Sequence, residues 1–585
     1  MDSSNVLVTL LSCAFIMILV AVVTYYKTKG ETKDTKGYFL AGRGLTGTFI
    51  AGSVLLTNLS TEQIIGLNGQ AYRSNLSNMA WEVTAPLAII VMALFLLPLY
   101  LKGAFTTLPE FLNKRYDRGV QQMTAVLFLL SYAFILIPST LYSGSLAVLQ
   151  IFDVPALFNL TFAQSIWLVV WIVGIIGSLL AVLGGAKAVA VSDTIYGIGL
   201  LIFGALVPIL GFIALGDGNL LHGMKHITVN SPEKLNAIGA STDSVPFGAI
   251  FTGIIFANLF YFGTNQYIIQ RSLGAKNLKE GQKGVLFSGF FKLAIPLFMM
   301  IPGTIAFHLY GDSIDNVDLA YPSVVTEILP TYLFGIFLAV LLGAVFSTYN
   351  SLLNSASTIF ALDILKGAMK SKLSDSQTVI ASKCFGVVLT IISLFITPFL
   401  MNAPNGIWDL IKQFSGFFNI PIIAIVLVGI LFKKVPALAA KIVIIFHVTL
   451  YYFLVWGTDH LFNIELNINF IYVYGILFFV EVFMMLVTAR YKPVNSSYEM
   501  KETPKVDMTP WKYSGFISIW LVALIVAVYL TFSPIGLAYQ DGIFSGWYIP
   551  VLLIELLITT FISWYAVYQW KNRYVNDTET MEGEG

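Results

Sequence analysis

Fifteen stretches of this chain are each long and apolar enough to cross a lipid bilayer. A spanning helix needs about 20 consecutive, mostly apolar residues. The sequence supplies them at about 5–26, 46–72, 78–101, 119–150, 163–183, 188–216, 247–270, 284–310, 331–362, 379–401, 405–432, 435–457, 466–489, 514–533 and 547–570. The fold class this dictates is an all-α polytopic membrane protein. Composition agrees: 57% of residues are hydrophobic and 11% charged, where soluble proteins carry roughly 25% charged residues. A large soluble core would not explain that deficit, because its surface would still need solvating groups. The aromatic content, with 28 Tyr and 10 Trp, suits belts at two membrane interfaces. A net charge of +1 argues against a nucleic-acid partner, which expects a basic surface. Cys13 and Cys384, the two cysteines, sit in apolar runs, so a disulfide framework is not expected. The first apolar run lacks a basic n-region and a small-residue cleavage site, and reads as a retained span.

Lys and Arg orient the spans. With the N-terminus outside and borderline residues given to the nearer side, 28 of the 33 basic residues fall on the cytoplasmic side. Only Arg73, Lys225 and Lys234 fall outside, and Lys292 and Lys412 lie mid-span. An odd number of spans then places the acidic tail, residues 571–585, in the cytoplasm. The loop at 217–246 is the longest outside. The polar, proline-containing stretch 490–513 reads as a cytoplasmic linker.

Polar groups inside lipid are costly, so each is a functional hypothesis. The second span carries an island, Thr57-Asn58-Leu59-Ser60-Thr61-Glu62-Gln63, followed by Gly66, Asn68 and Gly69. A broken helix here would free carbonyls near the midplane for ions and substrate; a water-filled turn with no ligand is the plainer reading. The third span opens Trp81-Glu82, where the carboxylate is either snorkelled to the surface or a site acceptor. The seventh span holds a second island from Asn258 to Gln266, including Tyr261, Phe262 and Gly263. Paired breaks point to inverted repeats, spans two to six and seven to eleven. Rings beside amides suit a sugar, since rings cover C–H faces and amides take hydroxyls in both senses; ordinary helix packing would also use those rings.

Lys292 in the eighth span needs buried acceptors. In the ninth span, Ser347 and Thr348 offer neutral hard oxygens of the type sodium prefers, or they bond back onto their own helix. Asp193 in the sixth span either draws a cation inward or caps its helix. Glu481 and Glu555 have no assigned role. No nucleotide-binding loop occurs, which disfavours ATP drive, and no nucleophile–base constellation marks an enzyme.

Together these islands resemble the solute:sodium symporter family, and within it the sodium/glucose and sodium/galactose cotransporters. The resemblance rests on Tyr38-Phe39-Leu40-Ala41-Gly42-Arg43, Asn58-Leu59-Ser60-Thr61-Glu62-Gln63 and Asn265-Gln266-Tyr267-Ile268-Ile269-Gln270-Arg271, with Gly184-Gly185 before Asp193 and Asn354-Ser355 with Asp363. It implies the leucine-transporter fold, a 5+5 inverted repeat over 46–434. One extra helix precedes it, with a basic loop, within 1–45, and four helices follow within 435–570. It also implies a multi-pass protein of a bacterial inner membrane.

Carried over by position, sodium, the coupling ion, would bind hydroxyls of Ser347 and Thr348 and carbonyls of Leu56, Leu59 and Ala344, and would leave past Asp193. A sugar would bind Asn58, Gln63, Glu82, Asn258, Lys292 and Lys412, with Tyr261 and Trp81 as gates. Two departures stand out. Lys412 replaces a glutamine of sugar-transporting relatives, and Ala85 replaces a serine. Asp409, three residues before Lys412, could neutralise it; otherwise an acidic sugar enters consideration. The expected activity is sodium-coupled sugar symport, with a neutral hexose favoured. The rivals are symport of a polyol, sugar acid, monocarboxylate or amino acid, proton coupling, and a sugar-gated sensor or channel.

Overall fold

The computed structural model describes residues 3–28, 44–103, 105, 107–183, 186–365, 374–464, 466–494, 506–540 and 542–574. The Tyr38–Arg43 motif and Gly184-Gly185 lie outside these residues, as do the side chains of Leu56 and Asp193. The described chain is helical, and its one extended pairing is an isolated bridge between Leu45 and Ala275.

Apolar length decides the architecture. Among the described residues, twelve helices are long and apolar enough to cross a membrane. They are α1 (Asn5–Lys27), α4 (Leu76–Gly103), α5 (Arg118–Phe152), α7 (Thr194–Leu215), α10 (Leu278–Tyr310), α11 (Thr331–Leu365), α12 (Ser376–Asn402), α13 (Ile407–Leu431), α14 (Ala437–Phe462), α15 (Phe470–Tyr491), α16 (Ser514–Thr531) and α17 (Tyr548–Gln569). The other apolar stretches also form helices. They give α2 (Gly47–Asn58) and α3 (Thr61–Arg73), α6 (Phe162–Leu183), and α8 (Ile255–Gly263) with α9 (Gln266–Leu273). Both polar islands thus interrupt their helices, as the sequence suggests.

Packing between α2–α7 and α8–α13 is reciprocal. The first helix of each set rests on the second helix of the other, α2 on α10 and α8 on α4. Each also rests on the fifth helix of its own set, α2 on α7 and α8 on α13. The two third helices, α5 and α11, meet each other. Such exchange is what two inverted repeats produce around one midplane site.

The remaining helices dock on this unit from outside. α1 lies along α11 and α7, α14 and α15 lie against α13, and α16 pairs with α17 and touches α10. The end of the 490–513 stretch is fastened to α10. Leu278 N donates to Asp507 O at 2.9 Å, and Trp511 N donates to Gln282 Oε1 at 2.7 Å. Cys13 is buried and Cys384 exposed, and both are free thiols.

Candidate functional site

The first break sets the geometry. α2 ends at Asn58 and α3 starts at Thr61, with Ser60 extended between them at φ −104°, ψ 156°. A helix end strands its last carbonyls. Among the described residues, no donor reaches the carbonyls of Asn58 and Leu59. Both halves of the broken helix touch α11, where Ala344, Ser347 and Thr348 are all buried. The Ser347 hydroxyl has no hydrogen-bond partner, so it does not bond back onto its own helix. Stranded carbonyls and an unpartnered buried hydroxyl are the donor set a hard cation takes.

Arg271 on α9 reaches the same two helices. Its Nε donates to Ser53 Oγ on α2 at 3.0 Å, and its Nη2 to Ser351 Oγ on α11 at 3.1 Å.

A central cavity lies between α2/α3, α4, α8, α10 and α13. Its lining includes Asn58, Gln63, Trp81, Glu82, Asn258, Tyr261, Lys292 and Lys412. Every residue expected to bind or gate a sugar therefore meets in one place. Lys292 Nζ donates to Glu82 Oε2 and to Asn58 Oδ1. Glu82 is thus a paired site carboxylate, not a snorkelled one. Asn58 Nδ2 in turn donates to Tyr261 Oη at 3.0 Å. Asn258 Nδ2 donates to Thr84 Oγ1 at 3.1 Å, so a hydroxyl sits one position before Ala85.

Lys412 departs from the expected pairing. Asp409 Oδ2 instead accepts from Asn405 Nδ2 at 3.2 Å and from Gln413 Nε2 at 2.8 Å. These partners are four residues away on either side, within reach on one helix face. Lys412 Nζ lies between two indole faces, 4.6 Å from the Trp81 centroid and 4.0 Å from that of Trp408. Cation–π contact of this kind holds an ammonium without accepting its N–H groups.

Sequence reasoning did not single out Glu62, Asn265, Trp408 or Arg271. The first three line the cavity, and Glu62 Oε2, Asn265 Oδ1 and Trp408 Nε1 are buried without partners, as is Gln63 Oε1. Glu62 and Asn265 sit inside the two polar islands, which was their available signal. Trp408 gave none until the helices were packed, and Arg271 was visible as the last residue of the Asn265–Arg271 motif.

A vestibule of about 480 Å³ lies beyond the cavity, on the side where α3 ends, and is lined by Arg73, Asp409 and Gln413 among others. The central cavity itself retains about 80 Å³. Trp408 and Lys412 line the cavity while Asp409 and Gln413 line the vestibule, so the same turn of α13 borders both.

Comparison with known proteins decides the family. The Sodium:solute symporter family matches residues 38–445. The chain belongs to the sodium:solute symporter family. This symporter is 40% identical over 571 residues to the Escherichia coli (strain K12) protein described as uncharacterized symporter YidK, covering 97% of each chain. It is 30% identical over 443 residues to the sodium/glucose cotransporter of Vibrio parahaemolyticus, covering 71% of this chain and 78% of that one. Its fold matches a Na+-coupled sialic acid symporter solved substrate-bound and outward-open, with a TM-score of 0.69 at 22% identity, over 84% of this chain and 99% of that one. The symporter therefore has the leucine-transporter fold, spans the membrane many times, and couples a small solute to Na+.

Proposed function

We propose that this symporter carries a neutral polyhydroxyl solute, a hexose or a cyclitol, together with Na+. The observation that carries this reading is the hydrogen-bonding balance of the central cavity. Three buried acceptors, Glu62 Oε2, Gln63 Oε1 and Asn265 Oδ1, lack donors, beside the unaccepted donors Trp408 Nε1 and the Lys412 ammonium. A hydroxyl can donate to such acceptors and still accept from Trp408 or Lys412; a carboxylate cannot donate. Charge supports the same reading, because the lining holds two carboxylates, Glu62 and Glu82, and two ammonium groups, Lys292 and Lys412. Among relatives, the Vibrio parahaemolyticus protein is described as a sodium/glucose cotransporter and the Bos taurus one as a sodium/myo-inositol cotransporter 2.

In this reading, Na+ binds carbonyls of Leu56, Leu59 and Ala344 and hydroxyls of Ser347 and Thr348. It fastens the break to α11 and completes the solute site at Asn58, Gln63, Glu82, Asn258, Lys292 and Lys412. Trp81, with Lys412 and Trp408, closes the vestibule side, and Tyr261 the opposite side. Na+ then leaves past Asp193. The transport unit is 46–434. Coupling is reciprocal: each ligand tightens the other by the same factor. The membrane potential adds about 2.3 kcal/mol per 100 mV for each inward charge.

The test is uptake of labelled glucose, galactose and myo-inositol into proteoliposomes, under Na+ and K+ gradients, with a hexuronate among the competitors. Na+-dependent accumulation of a neutral polyol, weakened first in affinity by Gln63→Ala, supports the reading. Competition by the hexuronate alone would transfer the assignment to a sugar acid held by Lys412.

A further inference from the structure

Away from the transport cavity, α13, α14 and α15 enclose a second polar cluster. His447 on α14 and Glu481 on α15 are both fully buried. His447 Nδ1 contacts Glu481 Oε1, and Nε2 lies 2.9 Å from Gly416 O on α13. A carbonyl oxygen only accepts, so Nε2 must carry a hydrogen. The close Nδ1···Oε1 contact then needs one more proton, on the ring or on the carboxyl. Without it, two lone pairs would face each other. Glu481 Oε2 has no partner, and stranding an oxygen costs less on a neutral acid than on a carboxylate.

We propose that His447 and Glu481 form a proton-binding site that holds a single proton between them and fixes α13 against α14 and α15. The proton rests on Glu481 Oε1 and is donated to Nδ1, while Nε2–H is donated to Gly416. Two tyrosines extend the same device. Tyr451 Oη donates to Gln413 O at 2.5 Å and Tyr474 Oη donates to Lys412 O. Side chains of α14 and α15 thus seize three carbonyls on one stretch of α13. Gly416 permits this approach, since a Cβ there would collide with the rings of Tyr451 and Tyr474. Lys412 and Ser415 on that stretch line the central cavity, so the clasp positions a wall of the solute site. His447 lies two residues beyond the part of the chain that matches the family.

The titratable groups packed around the pair are few. They are Tyr451 on α14, stacked on the His447 ring at 5.4 Å, Tyr474 on α15, and Asp409 and Lys412 on α13. Toward the start of α14, Lys441 is engaged by Asp117, at the start of α5, at 2.6 Å. Among the described residues, no hydrogen bond or ion pair joins His447 or Glu481 to a further charged side chain.

Two measurements test the site. The first is the ¹⁵N spectrum of His447 in full-length protein in lipid, with His222, His226, His308 and His460 replaced. One protonated Nε2 and one hydrogen-bonded, unprotonated Nδ1 are expected at about pH 6; protons on both ring nitrogens, or on Nδ1 alone, would overturn the proposal. This arm needs no transported solute, so its failure is separate from failure of the sugar reading. The second compares Na+-dependent uptake in Glu481→Gln and Glu481→Ala. The amide can donate to Nδ1, so Glu481→Gln stays within about twofold of wild type, while Glu481→Ala loses about tenfold. Equal losses in both variants, or no loss in Glu481→Ala, would refute the clasp.

Discussion

The two broken helices make the same interruption and finish it differently. At the second break, the carbonyl of Gly263 accepts from Tyr100 Oη at 2.8 Å, and Gln266 Oε1 accepts from Leu108 N at 3.0 Å. Protein thus caps the backbone of that break, while the Asn265 side-chain oxygen stays unpartnered toward the cavity. At the first break, the carbonyls of Asn58 and Leu59 have no donor among the described residues, and the nearby hydroxyl of Ser347 is stranded. The second break has its Gly263 carbonyl taken up by structure, whereas the first leaves its carbonyls open. On the reading proposed above, the copy left open is the one that takes Na+, and the capped copy is the one that does not.

The largest loss of transport is expected from Glu82→Gln. It leaves the Lys292 ammonium buried with neutral acceptors only, Asn58 and the amide oxygen at position 82, and removing the charge of one partner of a buried pair costs about 3–5 kcal/mol. Folded protein in the membrane should fall sharply, as read by size-exclusion chromatography in detergent. Glu82→Gln combined with Lys292→Met should recover folding without recovering uptake; recovered uptake would show that the pair is only structural.

Ser347→Ala comes next. Loss of one oxygen ligand should raise the Na+ concentration for half-maximal uptake by tenfold or more, about 1.4 kcal/mol, while leaving the thermal midpoint within a degree or two. An unchanged Na+ dependence would place the ion elsewhere and break the contrast between the two repeats.

Tyr100→Phe sharpens the contrast from the other side. It strands the Gly263 carbonyl and should destabilise the protein by about 1–3 kcal/mol, seen as a lower melting midpoint. Half-maximal Na+ should not move. If Na+ dependence shifts as much as in Ser347→Ala, both breaks serve the ion.

Asp318→Asn should change transport least. Asp318 lies in a turn between the spanning helices α10 and α11 and accepts from Ile407 N at 3.0 and 3.1 Å. Burial pushes its carboxyl up to about 7, from about 3.9. An acid raised in the folded state holds a proton that the unfolded chain releases, so stability is highest below about pH 4 and declines as pH climbs to 7. Asp318→Asn, whose amide oxygen can still accept from Ile407, should flatten the melting midpoint between pH 5 and 8. Identical pH slopes in wild type and variant would exclude this group as the source.

The sequence made the spans and both breaks legible because lipid enforces long apolar runs, and an island such as Asn58–Gln63 contradicts its surroundings. Most of the polar residues that meet in the central cavity were legible for the same reason. The environment of Lys412 was not. Its spacing from Asp409 suggested a pair, but Asn405 and Gln413 compete for that carboxylate at the same helical reach, and the indole of Trp81 arrives from a helix more than 300 positions earlier. His447 and Glu481 are each a lone polar residue in an apolar run, and only helix packing brings them together.

The strap that ends at Trp511 has a mechanical consequence. Because its backbone is fastened to Leu278 and Gln282 at the first turns of α10, and α16 begins three residues later, it acts as a connecting rod between the transport unit and the last two helices. A reporter fluorophore introduced near Lys512 would therefore register displacement of α10 itself, and would give a spectroscopic handle on the carrier cycle without touching either ligand site.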